Sequence, residues 1–176
     1  RGLGDVYKRQ EIAKAQLAAG AIGITVATIG EAEVFAKKSI KDIFIAYPLF
    51  VTDSKLKRLK SLARKVELTL AVDSIAGVKA LAAGLSAVKV LVEIDSGHHR
   101  SGCEPKQAGS IALKAKSLGL NPIGVFTFPG HSYKPKGAKQ AVADEQRAFA
   151  LAVESMAKVG IEAQVISSGS TPSAAM

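Results

Sequence analysis

A chain of 176 residues, 48% of them hydrophobic, has the length and apolar content for one globular domain with a sizeable core. No apolar run approaches the ~18 residues of a membrane span, no secretory signal is visible, and a single cysteine, Cys103, excludes an internal disulfide framework and fits a reducing, cytoplasmic setting. The net charge of +9 raises nucleic acid as a partner, but only 5% of the residues are aromatic and no stacking platform or nucleic-acid motif is present; the balance equally suits an anionic small molecule.

Arg1 to Gln10 has neither the repeat nor the strand period found in the rest of the chain. It resembles translated library-adapter sequence at the end of an open reading frame. Residues 1–10 are therefore expected to be a non-native leader, with the authentic domain covering 11–176.

From Glu11 onward one unit recurs: an alanine-rich helix, a glycine, then a β-branched strand. Leu17-Ala18-Ala19-Gly20 precedes Ile22–Ala27, and Leu81-Ala82-Ala83-Gly84 precedes Val88–Ile94. Ser117-Leu118-Gly119 precedes Ile123–Thr127, and Lys158-Val159-Gly160 precedes Ala163–Ser167. Glycine just past a helix supplies a left-handed cap at little steric cost. Ile43–Ala46 and Leu68–Val72 read as two further strands. Thr28-Ile29-Gly30-Glu31 is a capping box opening a helix through Lys38. In the next helix Lys55, Lys57, Arg58, Lys60, Arg64 and Lys65 surround Leu56, Leu59 and Leu62 at helical spacing, so these cations form the wet face of an amphipathic helix. Ala108, Ile111, Ala112, Ala115 and Leu118 form an apolar stripe, as do Phe149, Ala152, Val153, Met156 and Val159.

The strands are short and apolar throughout, as in parallel sheets covered on both faces. Six αβ units leave a doubly wound sheet or a (β/α)8 barrel. Polar residues gather where the strands end, at Thr28, Tyr47, Asp73-Ser74, Asp95 to Arg100, His131 to Tyr133 and Ser167 to Thr171. A site fed by many strand ends favours the barrel, and because a full barrel takes about 250 residues, the expected fold is a partial (β/α)8 TIM barrel of about six strands.

The densest of these strand ends is Glu93-Ile94-Asp95-Ser96-Gly97-His98-His99-Arg100-Ser101-Gly102. Adjacent histidines rarely both face one ion, and no third ligand stands at metal spacing, so no metal site is expected here. The guanidinium of Arg100 suits a phenolate, carboxylate or phosphate, or else a surface ion pair of little worth. Cys103 reads as an ordinary small loop residue, without an activating partner. Downstream, Gly124 to Tyr133 is a strand, a turn and a polar cluster in which His131 can exchange a proton near neutral pH and Tyr133 offers a phenol. Val165-Ile166-Ser167-Ser168-Gly169-Ser170-Thr171-Pro172 is a strand followed by a hydroxyl-rich helix start. Such a start is either an anion cradle or an ordinary N-cap.

Together Glu11 to Glu33, Asp42 to Leu49, Val92 to Gly102, Gly124 to Tyr133 and Ser168 to Thr171 resemble the D-threonine aldolase and D-serine dehydratase group, fold-type III pyridoxal-phosphate enzymes with an alanine-racemase-like N-terminal barrel. That resemblance implies pyridoxal 5'-phosphate as cofactor. It implies that Gly169, Ser170 and Thr171, with Ser168 beside them, bind the cofactor phosphate, and that Arg100 faces the phenolic oxygen of the ring. It places His131 and Tyr133 in the wall of the cofactor pocket, and puts Phe128 where related dehydratases often carry a ring-stacking histidine. It also implies that the family's Schiff-base lysine aligns with Asp5, while Lys8 falls on a second, unreactive lysine of the motif. The first strand, the last strand and a C-terminal β-domain with divalent-metal ligands are expected to be missing. The reaction implied is cleavage of a D-β-hydroxy-amino acid to glycine and an aldehyde. Dehydration, racemisation and a non-catalytic pyridoxal-phosphate-binding role are the alternatives. No nucleic acid or membrane is an expected partner, and the full-length parent is expected to be a homodimer. The chain itself is expected to be inactive, with two strand edges left open.

Overall fold

The computed structural model describes the backbone of Gly2–Leu3, residues 10–174 and Met176. Asp5 and Lys8 lie outside the described residues. Among the described residues seven parallel strands lie in chain order: β1 (Gly2–Leu3), β2 (Ile24–Val26), β3 (Asp42–Ile45), β4 (Glu67–Val72), β5 (Lys89–Glu93), β6 (Asn121–Phe126) and β7 (Val165–Ser167). The connecting helices are α1 (Gln10–Ala18), α2 (Ile29–Ala36), α3 (Asp53–Ala63), α4 (Ile75–Ala82), α5 (Ala108–Ser117) and α6 (Ala138–Ala157). This is the partial barrel expected from the sequence, with all six expected strands present. The expected loss of a first strand is corrected. Gly2 and Leu3 pair in parallel with Ile24 and Thr25, and Gln10 already belongs to α1, so a short strand stands ahead of β2 where none was expected.

Alternation along each strand divides the core in two. Outward residues such as Ile24, Val26, Ile43, Ile45, Leu70, Val90, Val92 and Val125 pack under the helices. Inward residues Phe44, Ala71, Leu91, Ile123 and Phe126 fill the barrel. Phe44 on β3 and Phe126 on β6 meet edge-on with ring centres 4.9 Å apart, although two strands separate them in the sheet. That contact crosses the interior and records how far the sheet has curled. Each such aliphatic or aromatic side chain, once buried, contributes about 1.5–3 kcal/mol.

The helices begin as the sequence expects. Thr28 Oγ1 accepts from the Glu31 amide at 3.2 Å, and the Glu31 carboxylate accepts from the amide of Ala27 at 2.8 Å. Leu59 and Leu62 of α3 are fully buried beneath its exposed cations. The glycine caps are left-handed at Gly20, Gly119 and Gly160, with φ of 100°, 81° and 71°. Gly84 is not left-handed; a Cβ there would stand 2.6 Å from a methyl of Leu56, so close packing of α4 against α3 explains it. The positive φ of that connection falls on Ala87 instead, at 57°. A register shift between Val90 and Leu91 makes Ile123 a bulge, which turns it inward with Phe126.

Candidate functional site

The strand ends deliver their polar groups to one rim. The loop after β5 is closed at its base. Ile94 bridges to Cys103, the Asp95 amide donates to the Cys103 carbonyl, and the Cys103 amide donates to that of Glu93, both at 2.9 Å. Cys103 is buried, and burial pushes its thiol up to about 12, which makes it inert at neutral pH. Within the loop Asp95 accepts from the amides of Gly97 at 2.8 Å and His99 at 3.0 Å, and its second oxygen meets His99 Nδ1 at 2.6 Å. Partial burial opposes ionisation of Asp95, but the two amides and the His99 ring together hold its carboxyl below the usual range. The two histidines diverge. His99 turns to Asp95, whereas His98 packs edge-on against Phe128 with centres 5.8 Å apart, beside Gly130. Burial, then the Arg100 charge and His131, keep His98 below its usual pKa.

Arg100 is exposed and reaches across the rim. Its guanidinium carbon lies 4.9 Å from the centre of the Phe128 ring and 5.6 Å from that of Tyr47. Residues from the ends of β3, β5 and β6 thus meet at one cation, with its donors left for an anion. Tyr133 is exposed, with its ring 6.4 Å from Phe128. His131 is buried. Its Nε2 lies 3.5 Å from Asp144 of α6 without making a hydrogen bond, and a Cβ at Gly97 would touch the ring. Arg147 and Gln140 hold Asp144 at 2.7 and 2.9 Å.

The last strand end is built differently from expectation. No helix of the described residues opens at Pro172; residues 171–174 form a single turn. Ser170 and Ser173 cap that turn reciprocally, the Ser170 amide donating to Ser173 Oγ at 3.0 Å and the Ser173 amide to Ser170 Oγ at 3.3 Å. Ser170 Oγ also lies 2.6 Å from Ser132 Oγ, tying the end of β7 to the turn after β6. The buried Ser170 hydroxyl is therefore committed to the protein, while Ser168 and Thr171 are exposed and Gly169 has a φ of 129°. Any anion contact at this turn falls to its backbone amides and to the exposed hydroxyls.

Sequence reasoning counted Glu93 in the densest strand end but gave it no role. It shares its inward face with Leu91 and stands opposite Phe126. Only 2% of it is exposed, Ser101 Oγ donates to Oε1 at 2.7 Å, and Oε2 has no hydrogen-bond partner among the described residues. Burial pushes its carboxyl up to about 6, against the opposing pull of Ser101 and Arg100. The signal was present in the sequence: an acid two residues after Leu91, in a strand apolar on both faces, has no wet side to face. Among the described residues no group of three or more histidine, cysteine or acidic side chains is placed to hold a metal, and no helix is long and apolar enough to cross a membrane.

Residues 7–176 match the family described as alanine racemase, N-terminal domain. An uncharacterized protein of Mycobacterium tuberculosis is 41% identical over 152 residues, which are 84% of this chain and 89% of that protein. The D-threo-3-hydroxyaspartate dehydratase of Delftia sp. is 36% identical over 178 residues, 95% of this chain and 46% of the enzyme. The crystal structure of D-threonine aldolase from Filomicrobium marinum superposes with a TM-score of 0.86 at 28% identity, covering 99% of this chain and 50% of that one. The chain thus spans about half the length of these two enzymes.

Proposed function

The chain belongs to the family of the alanine racemase N-terminal domain, and from that premise we propose that its strand-end rim is a pyridoxal 5'-phosphate site. In our reading the whole protein is a pyridoxal-phosphate-dependent lyase that cleaves D-β-hydroxy-amino acids to glycine and an aldehyde. The observation that carries this reading is the position of Arg100. It is a cation laid on the rings of Phe128 and Tyr47 where three strands end, in a fold that superposes on a D-threonine aldolase.

The residues fit the cofactor's chemistry. Arg100 offers fixed donors to an anionic ring oxygen, and the Ser168–Thr171 turn offers amides and exposed hydroxyls to a phosphate. His131 and Tyr133 form the wall contributed by the turn after β6. Phe128 lies beneath the guanidinium and beside His98 and gives that side of the rim an apolar face. Bound pyridoxal phosphate supplies an electron sink for the charge left at the substrate's α-carbon. In our reading the whole protein is a homodimer of the cytoplasm.

We read Asp5 as taking the place of the family's Schiff-base lysine, and on that reading this chain binds the cofactor without a covalent link and does not turn over D-threonine. The test is to load the chain with pyridoxal phosphate, reduce with borohydride and map adducts, while assaying D-threonine for acetaldehyde. Saturable binding without a stoichiometric adduct and without acetaldehyde is expected. One fully modified lysine with turnover would contradict it.

Dehydration and racemisation use the same rim and are the alternative reactions. A non-catalytic pyridoxal-phosphate-binding role is favoured by one observation: the match takes in 89% of the mycobacterial relative, leaving little of it for a second domain.

A further inference from the structure

Arg100 is bracketed by two tethers. On one side His99 is fixed to Asp95 through its amide and its ring. On the other, Ser101 is fixed to Glu93 through a 2.7 Å hydrogen bond. The backbone that presents the guanidinium is thus pinned to two carboxylates rooted at the end of β5. Asp95 is spent on three bonds within its loop. Glu93 is different: one oxygen holds Ser101, and the other is buried inside the barrel and unpaired among the described residues. An unpaired buried carboxylate oxygen is costly to ionise and responds strongly to nearby charge.

We propose that Glu93 is a positioning residue coupled to Arg100: it holds the guanidinium at the rim through Ser101, and when an anionic oxygen occupies that guanidinium a proton from solvent moves onto Glu93. The inference rests on the reading of the rim as an anion site and adds to it a proton-linked residue that touches no ligand.

The coupling between Glu93 and Arg100 is electrostatic. The charges acting on Glu93 are Arg100 and Asp95 of its own loop and Asp73 at the end of β4; from β6 it faces Phe126, which carries none. Of these only Arg100 favours the ionised carboxylate. An anion on Arg100 cancels that support and leaves Asp73, Asp95 and burial opposing ionisation. Glu93 then takes up a proton, and by linkage anion affinity rises as pH falls through the range in which Glu93 titrates. The unpaired oxygen accepts the proton, so the Ser101 tether survives the change.

The experiment is calorimetric titration of the whole chain with pyridoxal 5'-phosphate in two buffers of different ionisation heat, which counts protons taken up per ligand. Wild type is compared with Glu93→Gln, so the ligand's own titration cancels. Wild type is expected to take up more protons than E93Q near neutral pH. As pH rises through the titration of Glu93, wild-type affinity relative to E93Q is expected to fall, by up to about tenfold for each pKa unit by which the ligand shifts Glu93. Equal proton counts and parallel pH profiles would overturn the coupling while leaving the site intact. Absence of saturable binding would overturn both readings. Infrared difference spectra of wild type alone, which need no variant to fold, should gain a protonated carboxyl band on ligand addition; no band overturns the proposal. Ser101→Ala should weaken binding yet keep the proton count, and unchanged affinity would overturn the tether.

Discussion

The guanidinium of Arg100 lies 4.9 Å from the centre of the Phe128 ring, so the loop after β5 and the turn after β6 share one contact at the rim. The ring holds a long, exposed side chain in place without consuming its hydrogen-bond donors. Removing it leaves the cation present but free to wander. Phe128→Ala is therefore expected to weaken pyridoxal-phosphate binding by about threefold to fivefold, the equivalent of about 0.5–1 kcal/mol. Fluorescence titration of the two proteins measures it. Unchanged affinity would mean that the contact does not prepare Arg100 for a ligand.

Ser170 is expected to matter to folding more than its chemistry suggests. Its hydroxyl is buried and joins Ser132 and Ser173. Ser170→Ala removes the partner of the buried Ser132 hydroxyl and of the Ser173 amide, while Ser173 Oγ keeps the Ser170 backbone, and the loss costs about 1–3 kcal/mol. Urea denaturation should show that loss with an unchanged slope. Ser168→Ala, at an exposed hydroxyl, should cost less than about 0.5 kcal/mol.

Glu93 gives stability a pH dependence of definite sign. Its carboxyl rises from 4.5 to about 6 on folding, so the folded chain binds the proton more tightly than the unfolded chain. The contribution is fully present below about pH 4.5 and is lost as pH rises through about 6. The difference corresponds to about 2 kcal/mol. Glu93→Gln should therefore be more stable than wild type by about that amount at pH 8, with the advantage shrinking toward pH 4. Denaturant midpoints measured across that range test it, and a constant difference would argue against a buried, ionising Glu93.

Much of the architecture was legible because its causes are local. The apolar run Val88–Ile94 became β5 (Lys89–Glu93), and Leu68–Val72 became β4 (Glu67–Val72), because an apolar segment covered on both faces has few other places to go. The Thr28 capping box formed because both partners lie within four residues. What the sequence hid is set by contacts between distant segments. Gly84 reads as a cap, but Leu56, twenty-eight positions earlier, is what requires it to lack a Cβ. Ser170 reads as a free hydroxyl until Ser132 closes on it from the turn after β6. Arg100 stands out by its residue type, whereas its seat on Tyr47 and Phe128 depends on the curl that brings three strand ends together. Glu93 was counted in the densest strand end without a role, because its burial emerges only when the alternation from Leu91 is traced to the end of β5.

The central claim, that the rim anchored by Arg100 is an anionic-cofactor site, is tested most directly by titrating pyridoxal 5'-phosphate into wild type and Arg100→Ala under identical salt. The guanidinium is exposed, so its removal should leave the melting temperature nearly unchanged. Saturable one-to-one binding by wild type, weakened at least about tenfold in Arg100→Ala, is the predicted result, equivalent to about 1.4 kcal/mol. Equal affinity in the two proteins would contradict the account.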